Sequence, residues 1–410
     1  MDYKDLLETY EKEHNHPLKP VNIRNAENHA PGHSVCYTCG APSKYLYYND
    51  GIRRSQLKCK VCNSVSQVHR RYLSVTKYLC PHCGHALFLW KERKDCSIYK
   101  CDNDNCSVYT SNKKNLNFGE RLLQSVKSSQ FKLHYQYREY HFTNEQLIHA
   151  SPKPYSNITN IRNSLNTLAL ILTFHVSFAI SARKTAYLLR EVFKIRLSYQ
   201  SVLNYCEMAA YHCHKFNLAY KGDVDNIQAG DETYIKINGE HNFTFFFISA
   251  KNLKISAYHI DTTRDTLPAA IAIKEAIRTA SPNLKTFIIT DGNPSYQNAI
   301  HFLNKSLDDK LKLKNVIGLQ NLDAISTRFR PFKQLIERLN RTYKFHMRAA
   351  TGFSSRNGAV SLTTLFVTFY NFLRPHMSLD YKVPVPLGFL NGFDTLQGRW
   401  AALIQTAIAI

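Results

Sequence analysis

A chain of 410 residues is long enough for two or three domains, and its 44% of apolar residues can build a core in each. Fifty-three Lys and Arg against 31 Asp and Glu leave a net charge of +22, a field that favours a polyanion such as nucleic acid over a neutral small molecule. The first residues, MDYKDLLETYEKEHNH, place charges where a signal peptide needs an apolar stretch, and no later segment reaches about 18 uninterrupted apolar residues. An intracellular protein with no membrane partner is expected.

Residues 1–33 read as a flexible lead-in, because positions 15 to 35 carry His, Pro, Asn and Gly without periodicity. Of the eleven cysteines, nine lie between Cys36 and Cys106, and in a chain without a secretion signal such clustering favours metal ligation over disulfides. Residues 34–112 divide into two modules. The first sets Cys36 and Cys39 before Cys59 and Cys62 with nineteen residues between Cys39 and Cys59. This is close to the spacing of a zinc ribbon, in which two short knuckles each give two thiolates to a tetrahedral Zn²⁺. The second sets Cys80 and Cys83 before Cys101 with seventeen residues between Cys83 and Cys101, and four more between Cys101 and Cys106. That wider last pair leaves Cys96, His82 or His85 open as a substitute ligand. Lys58, Lys60, Arg70 and Arg71 around the first module fit phosphate contacts, and a purely structural role fits nearly as well.

Residues 113–158 are polar and Tyr-rich and close on ASPKPYSN, which reads as a linker. Residues 159–220 are predicted to be helical, with a helix-turn-helix in which Ser181 caps a helix ending near Phe193 and Ser198 caps the next. On that second helix Val202, Leu203, Cys206, Ala209, Ala210 and Cys213 recur at helical spacing, so Cys206 and Cys213 are core residues and not ligands. Gln200, Ser201, Asn204 and Tyr205 then face outward near its N-terminal end, where a recognition helix meets the base edges of double-stranded DNA. An ordinary helical pair in a bundle is the competing reading.

Residues 221–390 change to strand-like runs, NIQAGDETYIKI, NFTFFFISA and KISAYHI, then a helix, DTLPAAIAIKEAIRTA, and a buried-strand signature, KTFIIT. Three antiparallel strands, a helix, another strand and more helices suggest an α/β domain of the ribonuclease-H type. Residues 391–410 are left as a tail. The fold class expected is therefore multidomain α/β, a ribonuclease-H-like catalytic domain preceded by small zinc ribbons and a helix-turn-helix segment.

Three acids stand out in this half. Asp231 lies in the first strand, Asp291 follows KTFIIT so that its carboxylate emerges at the strand's end, and Glu337 lies in the helix RPFKQLIERLNRTYKFHMR. There Phe332, Leu335, Ile336, Leu339 and Tyr343 form an apolar stripe, while Glu337, Arg341, Lys344 and Arg348 share the polar face. Between Asn321 and Ser378 nine Lys and Arg accompany two acids, Asp323 and Glu337. Each acid alone reads equally as an exposed strand residue, a turn former or a helical partner of Arg341. Together they suit phosphodiester chemistry, in which paired Mg²⁺ or Mn²⁺ ions held by a few carboxylates ready the attacking oxygen and steady the leaving one.

GDETYIKING, ITDGNPSY and IERLNRTYK, with Lys344 seven residues after Glu337, and YNFLRPHMSLDYKVP over Tyr370–Pro384 together resemble the DDE superfamily of bacterial insertion-sequence transposases, related in fold to retroviral integrases. The resemblance covers about residues 160 to 390 and implies a DNA transposase that cleaves and joins strands of a mobile element. It implies that Asp231, Asp291 and Glu337 ligate the divalent metal, that Lys344 contacts DNA near the site, and that Arg374, Pro375 and His376 support the core. Element ends and target DNA would be the partners, bound by a homo-oligomer. Forty-five residues separate Asp291 from Glu337, more than in compact members, and an insertion containing NKSLDDKLKLKN is expected to account for them, with Asp308, Asp309 and Asp323 excluded as ligands. A ribonuclease-H-like nuclease or resolvase, or a domesticated DNA-binding protein without catalysis, are the competing functions.

Overall fold

The computed structural model describes the chain except for residues 1, 23–29, 51–53, 68–77, 154–156, 159–160, 223–224, 281–283, 308–309, 317–323 and 351. Arg70, Arg71, Asp308, Asp309 and Asp323 thus lie outside the described residues. The chain forms two compact units, Met1–Glu139 and Tyr140–Ile410. No described helix is long and apolar enough to cross a membrane.

The first unit is built on its cysteines. Helix α1 (Tyr3–His14), capped by Asp2, lays Tyr3, Leu6 and Leu7 against the first cysteine cluster. Residues 1–33 are therefore not a loose lead-in throughout: the i, i+3, i+4 spacing of those three apolar residues gives a helix one stripe to cover. Strands β1 (Leu46–Tyr48), β2 (Gln56–Cys59) and β3 (Val65–Gln67) make one antiparallel sheet. Strands β4 (Phe88–Glu92), β5 (Cys96–Lys100) and β6 (Gln136–Tyr140) make another, with α2 (Ser107–Lys114) and α3 (Phe118–Val126) between β5 and β6 in sequence. The region 113–158 is consequently more than a linker. A capping box between Asn117 and Glu120 starts α3, and Tyr135 and Tyr137 pack on the second cysteine cluster, which gives these polar residues tertiary anchors.

The second unit centres on a five-stranded sheet. Strands β7 (Ile227–Ile237), β8 (Glu240–Ser249) and β9 (Ile255–Asp261) run as an antiparallel meander, while β10 (Thr286–Thr290) pairs in parallel with β7 and β11 (Leu311–Asn315) in parallel with β10. Spatial order is β9-β8-β7-β10-β11, which puts β7 in the middle. Strand β11 comes from the stretch expected to be an insertion. LKLKN is an edge strand, Leu311 buried and Lys312 exposed, and the segment belongs to the sheet.

Both faces of the sheet are covered, so β8 reads as an almost unbroken apolar run. Phe245 and Phe247 enter the core made with α7 (Thr266–Ala276) and α8 (Pro294–Leu307), whereas Phe246 and Ile248 enter the opposite core. That second core also holds α4 (Leu165–Ile171) and the π-helical turn after it, α6 (Tyr199–Ala219), α9 (Ala324–Met347), α10 (Arg356–Phe372) and α11 (Leu396–Ile408). Residues 159–220 therefore do not stand apart from the catalytic segment, because the apolar faces of α4 and α6 have no other cover. Residues 391–410 are not a tail either: Trp400, Leu403 and Ile404 are fully buried and Trp400 donates to Ser177.

The two expected helices form with their expected caps. Ser181 caps α5 (Ala182–Phe193) and Ser198 caps α6. One side chain turns the other way. Tyr205 is buried and its hydroxyl accepts from Asn163, because α6 is enclosed on several sides and its buried face is wider than one stripe.

Buried imidazoles make this unit acid-sensitive. Burial pushes His214 and His376 from 6.5 down to about 4. The unfolded chain then binds more protons than the fold between these values, so stability is lost as pH falls from about 6.5 towards 4. Unfolding free energies from urea titrations across that window should fall, by an amount on the order of several kcal/mol at its lower end. A flat profile would show that these histidines are solvated.

Candidate catalytic site and cysteine clusters

The centre of the sheet is shaped by close packing before any acid is placed. Gly230 lies opposite Phe247, whose ring would be 2.3 Å from any Cβ added there, so only glycine admits that ring beside the strand. Asp231 follows at once on β7 and Asp291 lies just past the end of the adjacent β10. The carboxylates of Asp231, Glu232 and Asp291 converge, with ligand oxygens within 4.8 Å of one another.

Asp231 faces α9. Its Oδ2 accepts from Asn340 Nδ2 at 3.2 Å and is 3.2 Å from Lys333 Nζ. Burial raises its pKa, the charges of Glu232 and Asp291 add to that, and Lys333 opposes it. Asn340 Oδ1 is buried without a partner. Glu337 is half-buried and lies four residues after Lys333 and three before Asn340, on the helical face that both present to Asp231. Its carboxylate is not within the 4.8 Å cluster.

Glu232 is the acid that the sequence reading passed over. Its side chain is only 5% exposed, pairs with the half-exposed Arg264, and accepts from Asn293 Nδ2 at 3.0 Å and from the buried Tyr296 hydroxyl at 2.6 Å. Asn293 also donates its backbone N–H to Asp291 Oδ1 at 3.0 Å. Glu232 is thus tied to the turn that aims Asp291. The pattern D-E in β7 followed by N-x-x-Y after Asp291 was the available signal.

The cations expected to meet DNA, on α9 and just after it, stay outside. Arg341 and Lys344 are exposed, Lys344 lying over the Tyr234 ring at 4.5 Å, and exposed Arg348 opens the turn after the helix. At the start of α6, Gln200 is exposed and donates to Asn204, while Ser201 and Asn204 are partly exposed. In the closing element His376 packs edge-on to Tyr370, its ring centroid 4.5 Å away, and its backbone N–H donates to Lys382.

Each cysteine quartet closes on itself. In the first, Cys36 and Cys62 sulfurs are 3.6 Å apart and those of Cys39 and Cys59 3.7 Å. In the second, Cys80 and Cys106 are 4.0 Å apart and Cys83 and Cys101 3.6 Å. A tetrahedron with Zn–S of 2.3 Å has edges of about 3.8 Å, so both quartets fit that ion. Cys106 completes the second set. Cys96 is buried in β5, His85 meets Asn103 and His82 packs on Tyr135.

A mixed five-stranded sheet with acids at adjacent central strands is the architecture of a ribonuclease-H-like, nucleotidyltransferase-type enzyme. Residues 227–358 match the DDE domain family of IS240-type transposases, and this segment is a transposase DDE domain. A search of curated protein sequences finds no match. Among solved structures, the HTLV-2 integrase catalytic core domain in complex with magnesium is 14% identical with a TM-score of 0.26, covering 39% of this chain and 95% of that one. The simian T-cell lymphotropic virus intasome in complex with PP2A regulatory subunit B56 gamma is 17% identical with a TM-score of 0.28, covering 50% and 70%. The Mos1 strand transfer complex is 12% identical with a TM-score of 0.20, covering 60% and 85%.

Removing the Glu232 carboxylate strands three donors, one of them the fully buried Tyr296 hydroxyl. Glu232→Ala should cost about 2–3 kcal/mol, discounted for the half-exposed Arg264, and Tyr296→Phe about 1 kcal/mol, by chemical denaturation. Wild-type stability in Glu232→Ala would mean that this network holds nothing.

Proposed function

We propose that the chain is a DNA transposase in which Asp231, Asp291 and Glu337 hold the divalent cations for strand cleavage and strand transfer. The observation that carries this is the convergence of partly buried carboxylates on β7 and at the end of β10, beneath the face of α9 that includes Glu337. An orphaned Asn340 oxygen and a lysine already neutralising Asp231 mark the same place as one that receives positive charge. Mg²⁺ or Mn²⁺, when bound, supplies Lewis acidity to the attacking and leaving oxygens.

The protein's own residues do the rest. Glu232 and Asn293 orient Asp291, and Lys333 favours the charged form of Asp231 against its burial. Arg341, Lys344 and Arg348 offer exposed positive charge to the DNA backbone, and Gln200, Ser201 and Asn204 read base edges from the start of α6. The protein acts as a homo-oligomer on paired element ends. Each cysteine quartet holds Zn²⁺, Cys36, Cys39, Cys59 and Cys62 in one and Cys80, Cys83, Cys101 and Cys106 in the other.

Asp231→Asn, Asp291→Asn and Glu337→Gln keep size and lose one charge each, so each should abolish cleavage and joining of element-end DNA in Mg²⁺ while the protein stays folded and binds DNA. Retained activity in Glu337→Gln would remove the third ligand, and activity in all three would remove the metal site. Lys344→Ala should instead weaken DNA binding with divalent affinity unchanged. Joined products separate this reading from a nuclease, which would only cut.

The zinc assignment has its own measurement. Metal analysis of the purified chain should give two Zn²⁺, and Cys59→Ser should give one and unfold only the first module, since metal binding and folding are coupled in such small folds. One zinc in the unaltered chain would remove a site.

A further inference from the structure

Away from the carboxylates, a half-open cleft of about 620 Å³ lies between the start of the helix-turn-helix and the segment that follows α9. This is within the range of sites that bury a small organic group. One wall is the first two turns of α6, with Tyr199, Gln200, Leu203 and Glu207, and the other is the loop through Phe353 and the start of α10, with Ser361 and Leu362.

Its chemistry is selective. Leu203, Phe353 and Leu362 give it apolar walls. The Tyr199 ring stands at its edge, 44% exposed, with the Arg183 guanidinium 4.8 Å from the ring centroid. Two polar groups wait inside. Ser361 is 2% exposed and its Oγ has no hydrogen-bond partner, a costly state unless something arrives to fill it. Glu207 receives one hydrogen bond from Asn357 on Oε2, which leaves its other oxygen as a further acceptor. Burial also raises the Glu207 pKa. A carboxylate on the wall disfavours a phosphate, while a flat heterocycle with an amino edge matches the apolar walls, the aromatic rim and the acceptors together.

We propose that this cleft receives an unpaired nucleobase of bound DNA, stacked at Tyr199 and hydrogen-bonded at its polar edge by Ser361 and Glu207. The inference rests on the DNA-binding reading given above. It adds that the helix-turn-helix handles a base out of its stack as well as base edges in the groove. Gln200 borders both, since it lies at the exposed start of α6 and also lines the cleft. A base already mispaired costs least to withdraw, so the cleft favours DNA with a weakened pair.

The test uses the full chain and three short duplexes identical except at one central position, which is a paired adenine, an adenine mispaired with cytosine, or an abasic site. Binding to the mispaired adenine should be about tenfold tighter than to the paired or the abasic duplex, since withdrawing a paired base costs a few kcal/mol. With 2-aminopurine in place of the mispaired adenine, fluorescence should fall on binding as the base stacks at Tyr199. Tyr199→Ala and Ser361→Ala should erase the preference while paired-duplex affinity stays within about twofold, since neither side chain is among the exposed polar groups at the start of α6 that meet the groove. Equal affinity for the mispaired and abasic duplexes, or a preference that survives both substitutions, overturns the cleft alone. Failure to bind any of the three duplexes overturns the DNA-binding reading with it.

Discussion

Everything in the catalytic unit answers to the mutual repulsion of three carboxylates gathered at one point. Oxygens within 4.8 Å of each other repel by roughly 3–4 kcal/mol per pair at the effective dielectric of a protein site. A fold does not accumulate such a cost by accident. Lys333 on one side and Arg264 on the other offset it, and the three donors around Glu232 spread that carboxylate's charge into the turn after β10. Gly230 belongs to the same solution, because a side chain there would push Phe247 out of the core that backs the site.

This arrangement divides the labour among acids that look alike in the sequence. Glu232 is saturated with protein donors and acts as a strut, whereas Asp231 meets a single lysine and an amide and is free to exchange partners. Asp291 lies between them, with Asn293 as the shared contact. Three carboxylates in one cluster thus differ in availability, and that difference is set by which face of β7 each leaves from.

The sheet, the serine caps of α5 and α6, and the placing of Asp231 on β7 and Asp291 at the end of β10 were legible because each depends on local rules: strand alternation, a serine before a helix, an acid at the end of an apolar run. What was not legible depends on partners distant in sequence. Glu232 was passed over because its neighbour Asp231 already occupied the reading, and Arg264, Asn293 and Tyr296 become its partners only after folding. Strand β11 was hidden by its lysines, which an edge strand tolerates on its outer face. Tyr205, the C-terminal helix, and Tyr135 and Tyr137 went unread for one reason: their partners are distant in sequence, Asn163 for Tyr205, Ser177 for Trp400 and the second cysteine cluster for the two tyrosines.

The position of Glu337 is fixed by residues that do no chemistry. Ile336, Leu339 and Tyr343 are buried against the sheet, and the Tyr343 hydroxyl lies 3.3 Å from Thr244 and 2.8 Å from Thr363, so α9 cannot roll about its axis without breaking buried hydrogen bonds. Each residue of a helix is turned about 100° from the last. A one-residue slip of that stripe would carry Glu337 away from Asp231 and bring Ile336 or Arg338 in its place. Because Lys333 and Asn340 already reach Asp231 from one turn before and one turn after, the locked register leaves Glu337 on the only stretch of α9 that faces the cluster from between them. The apolar stripe that looks purely structural in the sequence is therefore what decides where Glu337 stands.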